Sequence, residues 1–148
     1  MMTEQQVPDF SIEERLNQAA GNWNALFFAV VDYLREQGMP PESFIQWLGE
    51  RFAPGWEECR GDMQQIAYYA ALNPVSLGSE LRRYEVGENE ATVQTTIGHL
   101  SDKGEDVDLL AEIYGPIMDF LDLDYEWERQ GEGEAAVTSL RMYQRGAP

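Results

Sequence analysis

One thiol and one imidazole, Cys59 and His99, are the only side chains of their kinds in the chain. A histidine beside a cysteine can draw off the thiol proton and create a nucleophile for acyl transfer. A small hydrolase or lyase using Cys59 and His99 is therefore one expectation. Neither residue has a flanking signature such as a nucleophile elbow, and a lone cysteine is more often a buried, inert one. With a single cysteine the chain can form no internal disulfide and no zinc site built on several thiolates. A reducing compartment, the cytoplasm, fits best. Cys59, His99 and a carboxylate could also hold one metal ion, but the pattern is equally unspecific, so no metal and no cofactor is expected.

The second constellation is the acidic ladder Asp122, Asp124, Glu126 and Glu128. A calcium loop needs glycine at its sixth position and glutamate at its twelfth. Counted from Asp122, those positions hold Trp127 and Gly133. The acids alternate with Leu121, Leu123, Tyr125 and Trp127, which is the period of a half-buried strand with its carboxylates in water. Arg141, on the neighbouring predicted strand, could relieve their repulsion by cross-strand pairing. Gly131-Glu132-Gly133 is the one Gly-x-Gly, and its glutamates would repel a phosphate, so nucleotide binding is not expected.

Charge narrows the partners. Against 10 basic residues stand 27 acidic ones, a net charge of −17. Repulsion from phosphates opposes nucleic acid and anionic membrane surfaces, and short clusters such as Arg82-Arg83 are too small to reverse it. Lys103 is the only lysine, which suits either life at high salt or an arginine-favouring genome. The most apolar stretch, Ala25 to Val31, is stopped by Asp32, well short of the roughly 20 residues of a membrane span. The opening Met-Met-Thr-Glu-Gln-Gln has no basic segment before an apolar one, so no secretory signal is read.

Aromatic residues offer a third kind of site. Trp23, Phe27, Phe28, Trp47, Trp56, Tyr68, Tyr69 and Tyr114 fall on or beside apolar stripes of predicted helices. Such residues fill cores, but aromatic walls with a few hydroxyl or indole donors also suit a small apolar ligand. Trp23, Phe27, Trp56, Tyr68 and Tyr114 are the candidate walls, with His99 as a polar contact.

The elements that must position these residues follow from hydrophobic rhythm. Ser11 with Glu14 forms a capping box. Ile12, Leu16, Ala19, Trp23, Leu26/Phe27, Val30 and Leu34 then mark an amphipathic helix that Gly38 and Pro40-Pro41 end. A second helix starts near Pro41 with a stripe of Phe44, Ile45, Leu48 and Phe52, and Pro54-Gly55 kinks or breaks it. A third, from about Asp62 to Leu72, carries Met63, Ile66, Ala67 and Ala70, and Asn73-Pro74 closes it. The period then changes to two. Leu81 to Val86 and Ala91 to Ile97 form a hairpin across Gly87-Glu88-Asn89-Glu90. A fourth helix from about Glu105 to Phe120 is kinked at Gly115-Pro116. Leu121 to Glu128 and Ala135 to Tyr143 are the last strands, joined at Gly131-Glu132-Gly133.

This order of elements resembles the ligand-binding fold of the 4-vinyl-reductase-type domains and the related L-2-amino-thiazoline-4-carboxylic acid hydrolase-like proteins. The resemblance rests on Leu48-Gly49 to Gly55-Trp56, the hairpin Glu80 to Gly98, Leu109 to Gly115-Pro116-Ile117, and the closing pair Leu123 to Glu128 and Ala136 to Met142. It spans roughly residues 11–143 and implies a pocket for small hydrophobic or aromatic molecules, with dimerisation common. Several members hold zinc through cysteines near the sheet. Here Ile97-Gly98-His99 and Val137-Thr138-Ser139 stand in those places, which puts zinc and hydrolase activity in doubt.

The expected architecture is α+β: three N-terminal helices plus one kinked helix, packed as a layer on a four-stranded antiparallel sheet. A flexible lead-in occupies 1–10, a single domain 11–143 and a tail 144–148. At 148 residues the chain can bury about two-thirds of its unfolded surface. The leading functional expectation is a non-catalytic module for a small hydrophobic or aromatic molecule. Besides the Cys59–His99 enzyme, the alternative is an acidic interaction protein or a homodimer.

Overall fold

The first helix, α1 (Ile12–Glu36), begins at the expected cap, where the Glu14 amide donates to Ser11 Oγ at 3.0 Å. The computed structural model describes residues 5–98 and 104–146, and all statements below concern those residues. The face that α1 buries is Ala20, Asn24, Phe27, Phe28 and Val31. Only Phe27 of this set belongs to the expected stripe. Ile12, Leu16 and Leu26 are instead 68%, 59% and 67% exposed. From Ala19 to Val31 the helix is apolar around most of its circumference, and periodicity alone cannot choose among faces there. Residues 12–19, the first two turns, are exposed throughout.

Helix α2 (Pro41–Phe52) opens on a proline at a first-turn position that has no partner for an amide donor anyway. At Pro54 the chain does not break but tightens into a 3₁₀ segment, Ala53–Cys59. Helix α3 (Met63–Ser76) is capped by Asp62, whose Oδ1 accepts from the Gln65 amide at 3.2 Å. It buries Met63, Ile66, Ala67 and Ala70 as their spacing predicts. It does not close at Asn73-Pro74. Pro74 lacks the amide that would donate to Ala70 O, but it sits only two residues before the helix end, which the Leu77 and Ser79 amides close by donating to Pro74 O, both at 3.0 Å.

The fourth, kinked segment runs as α4 (Gly104–Ala111) and α5 (Tyr114–Phe120). The interruption at Glu112–Ile113 has a direct cause. Pro116 has no N–H to give the Glu112 carbonyl, and its ring crowds that group. The Gly115 amide donates there instead, at 3.2 Å.

Four strands, β1 (Leu81–Val86), β2 (Glu90–Thr96), β3 (Leu123–Gln130) and β4 (Val137–Gln144), form one antiparallel sheet in the order β1-β2-β4-β3. Its register lines up Ala91, Met142 and Tyr125 in one row and Val93, Leu140 and Trp127 in the next, on the face covered by helices. The opposite face carries the acidic ladder in water. Arg141 bridges it, with Nε 2.8 Å from Glu90 and Nη1 3.3 Å from Glu126, and Arg145 reaches Asp124 at 3.3 Å. Exposed pairs of this kind contribute only about 0–1 kcal/mol each, so they order the surface more than they stabilise the fold.

The core is in two parts. One lies between α3, α5 and the sheet and includes Ile66, Ala67, Met118, Leu140 and Met142. The other joins α1, α2 and α4 through Phe27, Val31, Ile45, Val107 and Leu109. Ile113 and Trp127 pack against both. The ion pair of Arg35 with the largely buried Asp106, at 2.9 Å, ties the end of α1 to α4.

Helices α2 and α5 approach closely at Gly49. A Cβ there would stand 2.8 Å from Ile113 O and 2.8 Å from Pro116 Cγ. Neither a backbone carbonyl nor a proline ring yields easily. Gly49→Ala would gain about 1 kcal/mol of helix propensity, but overpacking against rigid neighbours costs about 1–3 kcal/mol. We expect a net loss of stability in urea melts, whereas Gly55→Ala, with nothing within 4 Å of its added Cβ, should melt like the parent or slightly later. A Gly49→Ala melt indistinguishable from the parent would contradict the close contact.

Candidate functional site

Between the two halves of the core, the helical layer and the sheet leave a cleft of about 760 Å³. Its floor is the sheet, through Thr95 and Ile97 on the β2 side, Thr138 on β4 and Trp127 on β3. Thr95 and Thr138 stand opposite each other in the register, their hydroxyl oxygens 3.1 Å apart, so part of the floor's polarity is internally paired. The walls come from every helix: Trp23 on α1, Phe52 on α2, Tyr69 on α3, Val107 and Leu110 on α4, Tyr114 and Ile117 on α5. Trp56 and Cys59 enter from the 3₁₀ segment. Trp23, Phe52 and Tyr69 are partly exposed and mark where the cleft opens to solvent.

Three of the six candidate wall and contact residues, Trp23, Trp56 and Tyr114, line this cleft. Phe27 lies behind the wall: it is buried and stacks on Trp23 with ring centroids 5.3 Å apart. Tyr68 is on the outer face of α3, 55% exposed, and its ring meets Tyr69 edge to face. One position along the helix separates the two tyrosines, and Tyr69 is the one that reaches the cleft. His99 lies outside the described residues.

Sequence reasoning missed Trp127, Asn73 and the threonine floor. A usable signal was present. Residues 63–79 and 91–98 carry no charged side chain at all in a chain that is 25% charged, and those two runs supply Tyr69, Asn73, Pro74, Ser76, Leu77, Ser79, Thr95, Thr96 and Ile97 to the cleft. Asn24, next to Trp23, was also unforeseen. It is buried, its Nδ2 donates to Leu77 O at 3.3 Å, and its Oδ1 has no partner. An orphaned acceptor of this kind costs about 1–3 kcal/mol.

Two titratable groups in the cleft are shifted away from ionisation. Burial alone pushes the Tyr114 phenol from its ordinary value of 10.0 up to about 12, leaving it a neutral donor at physiological pH. The Cys59 thiol is raised first by burial, then by the nearby carboxylates of Asp62 and Glu58. All three causes oppose the thiolate, which is the reactive form. This environment suits an inert cysteine better than a nucleophile.

A second concavity, of about 460 Å³, lies beside α5 and β3 and is lined by Gln46, Pro116, Asp119, Asp124, Tyr143 and Arg145 among others. Arg145 there is already committed to Asp119 and Asp124, at 3.2 and 3.3 Å. Among the described residues no three histidine, cysteine, aspartate or glutamate side chains converge as a metal site, and no helix is long and apolar enough to cross a membrane. No protein-family model and no curated protein matches the chain.

Because the Cys59 pKa lies above its ordinary 9.0, iodoacetamide should label the native protein only slowly at neutral pH and rapidly after unfolding. The sign for stability follows. The native state holds the proton more tightly than the unfolded chain, so this contribution is intact below the ordinary pKa and is lost as pH rises through the native value. Fast stoichiometric labelling of the folded protein at neutral pH would restore Cys59 as a nucleophile.

Proposed function

We propose that the protein is a non-catalytic binding module whose cleft holds a small hydrophobic or aromatic molecule. The supporting observation is the cleft itself. Its volume of about 760 Å³ falls in the range of roughly 300–1,000 Å³ typical of small-molecule sites. Three tryptophans, Trp23, Trp56 and Trp127, surround it with Tyr114 as a neutral donor. Rings of this size contribute large apolar area, and indole N–H and phenol O–H groups orient a polar substituent. A helical layer over a sheet with a pocket between is also what a 4-vinyl-reductase-type domain would have, so the resemblance belongs to the same proposal. A cytoplasmic setting suits the unpaired Cys59.

Titration with N-phenylnaphthylamine, a neutral probe that brightens in apolar surroundings, tests this reading. We expect saturable emission with one probe per chain and accompanying tryptophan quenching. Ala111, buried and lining the cleft, offers the control. Ala111→Phe should fill the space and weaken the probe by roughly tenfold or more, the scale of a lost aromatic contact, while the circular dichroism stays unchanged. Probe binding that is absent, or indifferent to Ala111→Phe, removes the reading.

A second reading, association with another copy of the chain, is favoured by the outer stripe of α1. Ile12, Leu16, Leu26 and Tyr33 are all more than half exposed, and contiguous apolar surface of this kind marks an interaction face. Sedimentation velocity should then give a dimer at roughly tens of micromolar, near the low end of stable association, and Leu16→Glu with Leu26→Glu should convert it to a monomer. A wild-type monomer under those conditions ends the idea.

A further inference from the structure

The cleft's charge is unlike that of the rest of the molecule. The chain has 27 aspartates and glutamates, yet none of the described residues lining the cleft is one of them. Among the described residues the single charged side chain in the lining is Arg51, in the last turn of α2. Of the nine arginines in the sequence, seven (Arg35, Arg60, Arg82, Arg83, Arg129, Arg141 and Arg145) pair with a carboxylate. Arg51 pairs with none among the described residues. Its Cζ sits instead 4.8 Å from the centroid of the Trp47 ring, one helical turn away on α2.

Each of these facts has a consequence for binding. The C-terminal end of a helix favours a cation, and a guanidinium lying over an indole face is steadied by the attraction of the ring. An arginine with no carboxylate partner among the described residues, in the lining of an apolar cleft whose described residues include no acid, is therefore a fork for an oxyanion. A carboxylate matches that fork through two parallel N–H···O bonds. A doubly charged phosphate monoester would ask one guanidinium to balance two charges inside a protein of net charge −17, so a monoanion is the better match.

We propose that Arg51 receives the carboxylate of an amphipathic organic acid whose aromatic or apolar body occupies the cleft. This rests on the cleft reading above and adds the head group to it. Asp62 and Glu58 stand near Cys59, but no carboxylate among the described residues lines the cleft, and screening confines the repulsion of acids farther away to about 8 Å at physiological salt.

Calorimetric titrations with one naphthyl body and three heads, naphthylacetate, naphthylacetamide and naphthylethylamine, test the assignment. In the parent protein the acetate should bind about fivefold more tightly than the amide, the upper end for an exposed charge-assisted pair, and the amine most weakly. Arg51→Gln should bring the acetate down to the level of the amide and leave the amide unchanged, and Arg51→Lys should keep part of the preference. Equal binding of acetate and amide by the parent overturns the assignment while leaving the cleft reading intact. So does an Arg51→Gln variant that weakens both alike, because Arg51 is then only a wall. If the neutral N-phenylnaphthylamine binds but naphthylacetate does not, the Arg51 assignment again fails alone; if neither binds, both readings fail. Arg51 is solvent-exposed, and an unchanged melting curve for each variant confirms that binding, and not folding, is being read.

Discussion

Helix α2 meets the turn between α4 and α5 without a side chain between them, because Gly49 lets Ile113 O and Pro116 approach to distances that a methyl group would forbid. That contact holds the cleft's two sides at a fixed distance. Two and three residues beyond Gly49, Arg51 and Phe52 reach one side, and just across the contact Tyr114 and Ile117 reach the other. Proline at 116 contributes twice. Its ring is the surface against which Gly49 packs, and its missing donor opens the helix at Glu112, which turns α5 toward the sheet. Backbone constraint and packing thus coincide at one place, and the cleft is a consequence of both.

Dividing the core follows from the same geometry. A sheet with one buried face needs a layer over all four strands, but α3 covers chiefly β1 and β2 while α5 lies on β3. Between them the sheet is floored by Thr95, Thr138 and Trp127 and roofed only by wall residues that stand apart. Threonine is informative here. A fully packed core would favour valine at those positions, since a buried hydroxyl must find a partner, and these two hydroxyls find each other. The floor is therefore satisfied whether or not anything sits above it.

Much of the architecture could be read from the chain, because its elements announce themselves through independent local signals. Ser11 caps α1, Asp62 caps α3, and the alternation from Leu123 to Glu128 assigns one face of β3 to the core and the other to Arg141 and Arg145. What escaped are properties that only three dimensions decide. On α1, apolar residues at 19, 20, 23 and 25–31 leave the buried face undetermined until α2 and α4 dock, and Phe27 supports the wall through Trp23 without lining the cleft. Tyr68 and Tyr69 differ by about 100° around α3, and spacing alone favoured the wrong one. At Pro74, position relative to a helix end was the deciding quantity, and a local rule about proline does not contain it.

Electrostatics supplies the last step, because it separates what the surface does from what the cleft does. On the outer side of the sheet two arginines are each shared between two acids: Arg141 by Glu90 and Glu126, Arg145 by Asp119 and Asp124. Raising the salt weakens such exposed pairs, and little structure depends on them. Inside the cleft the shifts run away from ionisation, Tyr114 raised by burial and Cys59 by burial and two neighbouring acids. Among the described residues, the buried Asp106 aside, the acidity that dominates the composition is a property of the outside.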